Sequence, residues 1–433
     1  MKTIFTTVFY FVLTFSLSAQ GEVVSTTFSS PSFDGEDFNL NVYLPEGYDE
    51  NAEPYPVYIF LHGCCGLNQN THISDFEARL NTLVAEEIIS PFIVAFPSAQ
   101  GSLYGNRHAW FNSELNGPYS DLITEDLIDW LSGNYNVSSE KRAVGGFSMG
   151  ADGAIRMGLR RSDLFLAAIS HSSFPAIDFF TNLIPGLIAE TGQSAPPYDY
   201  APSNGLLSDQ VFGVSSAWSP NIDSEPYGVD FPLDENGELI DSVFWRWKLN
   251  ADVDSIIQHN WEPTEEVPVS IYFDVGLAES FLGPNQLLNT QLAELNTNLG
   301  YTIDYTYSEF PGGHALPTNK IDSSLVWLNS IFEAVLPSST LSDDTSSNKL
   351  MVYPNPIAAD QLNFEITNCD TDCLESVQLI DQQGRTLRTI PAYNLDRVTD
   401  SSFTISIPSL KSGFYFLIAE TRSGLMMQRF IKH

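Results

Sequence analysis

Residues 145–153 read GGFSMGADG, with Ser148 at the centre of a G-x-S-x-G spacing. The spacing alone is common. Here it falls between a run with strand character, RAVGGF (142–147), and a segment with helix character, MGADGAIRMGLRR (149–161). Glycines permit a turn too sharp for side chains, and a serine on such a strand-to-helix turn stands clear of the sheet edge. The amides that open the helix have no partner within it and face the same point. An exposed hydroxyl beside free N–H donors meets the needs of nucleophilic attack on a carbonyl, whose oxygen becomes an anion. Ser148 is therefore predicted as a nucleophile.

A serine nucleophile needs a base to take its proton, and the base needs an acid to orient it. On a sheet of this kind the chain order is serine, acid, histidine. His171, His259 and His314 follow Ser148. His171 precedes the acid candidates, and His259 lies in or near an irregular segment. His314 sits in FPGGHALP (310–317), directly after a strand pattern, where a loop can carry it over the sheet edge. It is the predicted base. The acid is expected in the loop after VPVSIYFDVG (267–276). Asp274, still within the strand end, and Glu279, in the following LAESF, could each orient the base, and Glu279 is preferred because a side chain beyond the strand end reaches a loop histidine more easily. A second oxyanion donor should follow the strand YPVYIFLHG (55–63), in the turn LHGCCG (61–66). The expected pair of amides is Met149 and Cys64, with Cys65 as the alternative to Cys64, while His62 and Gly63 shape the turn.

These positions need a sheet to hold them. YPVYIFLHG and PFIVAFPSA (91–99) are continuous apolar runs, as in strands covered on both faces. DFNLNVYLP (37–45) alternates, as a half-buried strand does. Helix patterns cover 73–89, 119–135, 149–161, 285–300 and about 320–335, and strand patterns recur at 164–173, 267–276 and 301–310. Strand and helix alternate, which predicts an α/β fold with a doubly wound, mostly parallel sheet. Residues 174–265 break the alternation. They carry little periodicity and four of the seven tryptophans (Trp218, Trp245, Trp247 and Trp261), and read as an inserted cap whose aromatics pack mainly against one another.

The ends of the chain differ in texture. MKTIFTTVFYFVLTFSLSA (1–19) has one early Lys, a short apolar stretch and small residues, the pattern of a signal peptide cleaved after Ala19. The enzyme-like region would then run over 20–335. LPSSTLSDDTSSNK (336–349) is a polar linker, and 350–433 holds short alternating strands that predict a small all-β sandwich. The 433 residues are 43% hydrophobic and carry 54 acidic against 19 basic side chains, a formal charge of −35. Such acidity argues against nucleic acid or an anionic membrane surface as partner. No later segment is apolar for long enough to cross a bilayer. The residues imply no metal and no cofactor: HExxH and clustered ligand spacings are missing from the sequence.

The blocks YIFLHGCCG, WFNSELNGPYSDLITEDLIDWL, KRAVGGFSMGADGAIRMGLRRSDLFLAAISHSS, IYFDVGLAES and FPGGHA resemble the esterase D-like branch of the α/β-hydrolases, which includes secreted feruloyl and acetyl esterases. The resemblance covers about residues 37–335. It implies Ser148 as nucleophile, His314 as base, and the Cys64 and Met149 amides as oxyanion hole. The family usually places Asp where Glu279 falls, and reads S-M-G-G-Y-G where this chain has Asp152. That extra charge, one turn beyond Ser148, would disfavour anionic substrates or simply face solvent. MVYPNP (351–356) and SGFYFLIAETRSGLMMQRFIKH (412–433) resemble the type A C-terminal sorting domain of the type IX secretion system. That likeness implies export by this machinery, release or attachment at the cell surface, and usually removal of the tail.

The function expected from these readings is a secreted serine carboxylesterase acting on small-molecule or polymer-linked acyl or aryl esters. An acyltransferase with the same residues, or a surface binding protein without activity, would be the alternatives. Adjacent Cα atoms lie about 3.8 Å apart, below the range of about 4.4–6.8 Å usual for a disulfide. A bond to the tail would tie the enzyme to a removable segment. Cys64 and Cys65 are accordingly expected as thiols, with a strained disulfide between the two as the alternative, and Cys369 and Cys373 as a pair.

Overall fold

The computed structural model describes residues 20–64, 71–99, 101, 104, 107–263 and 266–334, and in the C-terminal part 350–353, 357, 360–366, 374–381, 386–399, 402–407, 410, 413–421 and 424–432. The expected signal sequence (1–19), the expected linker (336–349), Cys65, Cys369 and Cys373 fall outside the described residues. The chain divides into two compact units, Met1–Val335 and Leu336–His433.

In the first unit eight strands form one sheet. They are β1 (Glu22–Ser30), β2 (Glu36–Leu44), β3 (Tyr55–Leu61), β4 (Ile93–Pro97), β5 (Val137–Phe147), β6 (Ala167–His171), β7 (Ser270–Gly276) and β8 (Tyr305–Phe310). Their order across the sheet is β1-β2-β4-β3-β5-β6-β7-β8. All neighbours from β4 to β8 pair in parallel, and β2 runs against both β1 and β4. The continuous apolar runs have a direct cause. Ile59 and Leu61 of β3 face one core and Tyr58 and Phe60 the other, so every residue from Val57 to Leu61 is buried. On the first face pack the helix built of Tyr119–Asp121, Leu122–Leu127 and Ile128–Asn134 (α2) and the helix Met149–Arg160 (α3). The second face is covered by Ile73–Ala85 (α1) and Thr318–Ala334, the last helix of the unit.

Between β6 and β7 the inserted segment is helical, which its sequence did not show. It contains Ile184–Glu190 (α4), Leu206–Trp218 (α5), Asp241–Ala251 (α6) and Val253–Asn260 (α7), followed after β7 by Leu282–Glu294 (α8); the last helix is then α9. In α5 much of the buried face is Ser208, Gly213, Ser215, Ser216 and Ala217. The Ser215 and Ser216 hydroxyls donate to Val211 O and Gly213 O at 2.8 and 2.6 Å, so these polar residues can be buried. A face coded by small residues leaves no apolar period to read. The cap has its own core, with Phe180, Leu187, Val211, Trp218, Val243 and Trp247. Trp245 stays exposed.

One residue ties the cap to α3. Arg156 is buried, and its guanidinium donates to Phe174 O at 2.9 Å, to Ala251 O, and to both Asp152 O and Asp152 Oδ1 at 2.9 Å. Its face lies over the Trp218 ring at 4.9 Å. Asp152 also accepts the Phe174 N–H at 2.9 Å. Asp152 is thus neutralised and anchors the cap, a role the sequence reading had not assigned.

The second unit consists of two antiparallel four-stranded sheets. The strands are β9 (Leu350–Tyr353), β10 (Gln361–Ile366), β11 (Leu374–Asp381), β12 (Thr386–Pro391), β13 (Asp396–Arg397), β14 (Ser402–Ser406), β15 (Gly413–Thr421) and β16 (Gly424–Lys432). Their orders are β9-β10-β14-β13 and β12-β11-β15-β16. Leu362, Phe364 and Phe403 of one sheet meet Val377, Leu417 and Phe430 of the other in a single core, which makes a sandwich.

Removing Arg156 leaves the Asp152 carboxylate without its charge partner and takes the guanidinium donor from the Phe174 and Ala251 carbonyls. Arg156→Ala is expected to lower unfolding free energy by about 3 kcal/mol or more. Urea titration checks this, and an unchanged midpoint would contradict the anchor.

Candidate active site

The end of β5 turns directly into α3, and Ser148 occupies the turn at φ 57° and ψ −120°. Its N–H donates to His171 O at 2.9 Å, at the end of the neighbouring strand. The turn presses against the end of β3. A Cβ on Gly150 would lie 2.0 Å from Leu61 O and 2.7 Å from His62 O, and one on Gly146 would lie 2.4 Å from the Gly150 carbonyl carbon. Any side chain at either position would push β3 and the turn apart.

His314 reaches this turn from the loop after β8. Its Nε2 lies 3.0 Å from Ser148 Oγ and its Nδ1 2.6 Å from Glu279 Oε2. An ionised carboxylate only accepts, so Nδ1 carries the proton and Nε2 is left to accept from the serine hydroxyl. The loops bearing acid and base are bonded to each other: Leu277 N donates to Phe310 O at 2.9 Å and Ala278 N to Gly312 O at 2.8 Å. Phe147 and Phe281 flank the imidazole with ring centres 4.8 and 5.1 Å away. Glu279 has a side chain 1% exposed. Its Oε1 accepts the Gly276 N–H at 2.6 Å and the Ser172 hydroxyl at 2.8 Å.

Asp274, the other acid candidate, lies elsewhere. It is fully buried within β7, with Oδ1 2.9 Å from His171 Nδ1 on β6. The structure therefore brings Ser148, His314 and Glu279 together and pairs Asp274 with His171. His259 is exposed at the end of α7. Ser172 was not singled out from the sequence. SHSS (170–173) offers no pattern that separates one hydroxyl from the next.

The turn after β3 is fixed by His62. Its Nε2 accepts the Ala99 N–H at 3.1 Å, so Nδ1 holds the proton and donates to Gly63 O at 2.7 Å. Burial pushes this imidazole below its usual pKa and keeps it neutral. Trp110 Nε1 donates to His62 O at 3.1 Å. Gly63 and Cys64 follow and line the same cavity as Ser148, Met149 and His314. The Cys64 sulfur is not a thiol: it is bonded in a disulfide, whose partner lies outside the described residues. The expectation of a thiol rested on the Cα separation usual across a disulfide, and the bonded state of Cys64 overturns it.

The cavity has a volume of about 800 Å³. Its wall is largely apolar and aromatic, with Phe60, Phe147, Phe174, Phe281, Trp218 and Trp247 prominent. Trp218 and Trp247 serve twice, in the cap core and on this wall. Among the described residues no cluster of His, Cys, Asp and Glu has the arrangement of a metal site.

Residues 30–321 match the family model described as "Putative esterase". The chain belongs to this esterase family. Residues 351–433 match the model of the secretion system C-terminal sorting domain, so the second unit is a sorting domain. Esterase Rv1288 of Mycobacterium tuberculosis is 30% identical over 140 residues, which is 31% of this chain. Endo-1,4-beta-xylanase Y of Acetivibrio thermocellus is 29% identical over 128 residues, 26% of this chain. The chain spans only 28% and 11% of the length of these two relatives. Among solved structures, a ferulic acid esterase is similar at 19% identity and a TM-score of 0.48, covering 72% of this chain and 99% of its own. An S-formylglutathione hydrolase from Staphylococcus aureus is similar at 17% identity and a TM-score of 0.44, with the same coverage.

In this esterase, burial alone would raise the pKa of Glu279, but bonds from His314, the Gly276 N–H and the Ser172 hydroxyl outweigh it and hold the carboxyl below its ordinary value of 4.5. A carboxyl depressed on folding stabilises the fold above its ordinary pKa, and that contribution is lost as pH falls through the folded value. The stability advantage of wild type over Glu279→Gln should be full at neutral pH and shrink at pH below 4.5. Urea unfolding at several pH values measures it, and an advantage that does not shrink would contradict the assignment of an ionised, bonded carboxylate.

Proposed function

We propose that the chain is an exported serine carboxylesterase in which Ser148 is the nucleophile, His314 the base and Glu279 the orienting acid. The observation that carries the reading is the continuous contact from Glu279 Oε2 through both nitrogens of His314 to Ser148 Oγ, at 2.6 and 3.0 Å. As the Ser148 oxygen bonds to the ester carbonyl carbon, its proton passes to His314 Nε2. Glu279 stabilises the imidazolium without taking its proton. The carbonyl oxygen becomes an anion, and the amides of Met149 and Cys64 are the proposed donors to it. The tetrahedral carbon then expels the alcohol, which leaves with the proton from His314, and an acyl-serine remains. Water attacks this ester with His314 again as base, releasing the acid and restoring the serine.

Substrate class follows from the cavity and the export signals. An apolar, aromatic wall favours esters with an apolar acyl or aryl part, because each buried apolar surface contributes to binding. With the polar alcohol part left toward solvent, a polymer-linked ester outside the cell is as suitable as a small one. The sorting domain is proposed to engage the type IX secretion machinery, and residues 1–19 to direct the first export step. No helix among the described residues is long and apolar enough to cross a membrane.

Wild type and Ser148→Ala should be compared on short p-nitrophenyl esters and on aryl esters. The variant is expected to lose about 10⁴-fold or more in kcat with an unchanged Tm. Turnover retained in Ser148→Ala, or a wild type inert on all of these esters, would contradict the proposal.

A further inference from the structure

Ser172 combines three features that no other described residue shares. It is fully buried, its backbone lies in the left-handed region at φ 58°, and its hydroxyl donates to the Glu279 carboxylate at 2.8 Å. The left-handed region favours glycine, and a residue with a Cβ is strained there. A serine kept in a position that suits glycine points to a use for its hydroxyl. The backbone around it is held from both sides. Its own N–H donates to Asp274 O at 2.9 Å, and the preceding carbonyl, His171 O, receives the Ser148 N–H at 2.9 Å. One strand end therefore grips both the nucleophile and the acid.

The geometry points to Ser172 as a positioning residue for ester hydrolysis, acting through Glu279. This rests on the triad proposed above. A glutamate side chain has one more rotatable bond than an aspartate, so its carboxylate needs more restraint to face a histidine. The Gly276 N–H at the end of β7 holds Oε1 at 2.6 Å, but one donor leaves the carboxylate free to pivot about that oxygen. The Ser172 hydroxyl supplies a second donor to the same oxygen from β6, in a different direction. With Oε1 fixed from two strands, Oε2 is left facing His314 Nδ1. Ser172 is not part of the cavity wall formed by the described residues, so substrate has no contact with it. A loss at Ser172 should therefore appear in kcat and leave KM alone.

The test compares Ser172→Ala and Ser172→Gly with wild type on a p-nitrophenyl ester, with Ser148→Ala alongside. Both Ser172 variants are expected to lose roughly 10-fold in kcat with KM within about twofold, a loss of the size of one positioning contact. Stability should diverge from activity. Both variants lose the bond to the buried carboxylate, and glycine alone relieves the left-handed strain, so the Tm of Ser172→Gly should exceed that of Ser172→Ala by about 2 °C. A purely structural role would let the more stable Ser172→Gly recover wild-type kcat, and that result would overturn the inference. A double-mutant cycle adds a second readout. In a Glu279→Gln background, Ser172→Gly should change kcat less than about twofold, because the group it positions is already altered. Fully additive losses would overturn the inference as well. If Ser148→Ala remains active, the triad itself is wrong. An inactive Ser148→Ala beside a fully active Ser172→Gly would sink only the role given to Ser172.

Discussion

The contact between the end of β3 and the turn at Ser148 constrains everything else at the site. Leu61 O and His62 O occupy the space where Gly150 would carry a Cβ, so turn and strand end touch backbone to backbone. That closeness brings the loop with Gly63 and Cys64 onto the same cavity as Ser148 and Met149. It also explains why the loop is held so thoroughly, by three hydrogen bonds at His62. A donor that moved with the loop would pay reorganisation at the moment of reaction, and a fixed one does not. The disulfide at Cys64 adds a covalent restraint to the same place.

Four strand ends then share the remaining tasks. β5 presents the serine, β6 anchors its amide and the acid, β7 carries Glu279 just beyond its end, and β8 delivers His314. Parallel neighbours place all of these ends on one edge, where ligands bind in open α/β sheets. The cap closes the other side through Arg156, which spends a buried charge on Asp152 and on carbonyls of the cap. Asp152 lies one turn from Ser148, and its charge is paired with that of Arg156 at 2.9 Å.

Strand positions were legible because both faces of the sheet are covered, which writes β3 and β4 as unbroken apolar runs. The G-x-S-x-G turn was legible for a steric reason, since few other sequences fit that contact. Glu279 and Asp274 were harder to separate. They lie five residues apart, at and just beyond the end of the same strand, and the sequence does not show which side chain faces His314 and which faces His171. Ser172 was invisible because its role depends on a φ angle and on a partner 107 residues away. The cap helix α5 was hidden by a buried face rich in serine, glycine and alanine. The disulfide at Cys64 was not legible, because the sequence does not say which sulfurs bond.

The account stands on Ser148 being made nucleophilic by His314. A phosphonate ester that traps reactive serines, followed by peptide mapping, reads this directly. The mass increase should fall on the peptide containing Ser148, with the rate of labelling reduced at least 100-fold, about 2.7 kcal/mol in barrier, by His314→Ala. Labelling at another residue, or an undiminished rate without His314, would contradict the central claim.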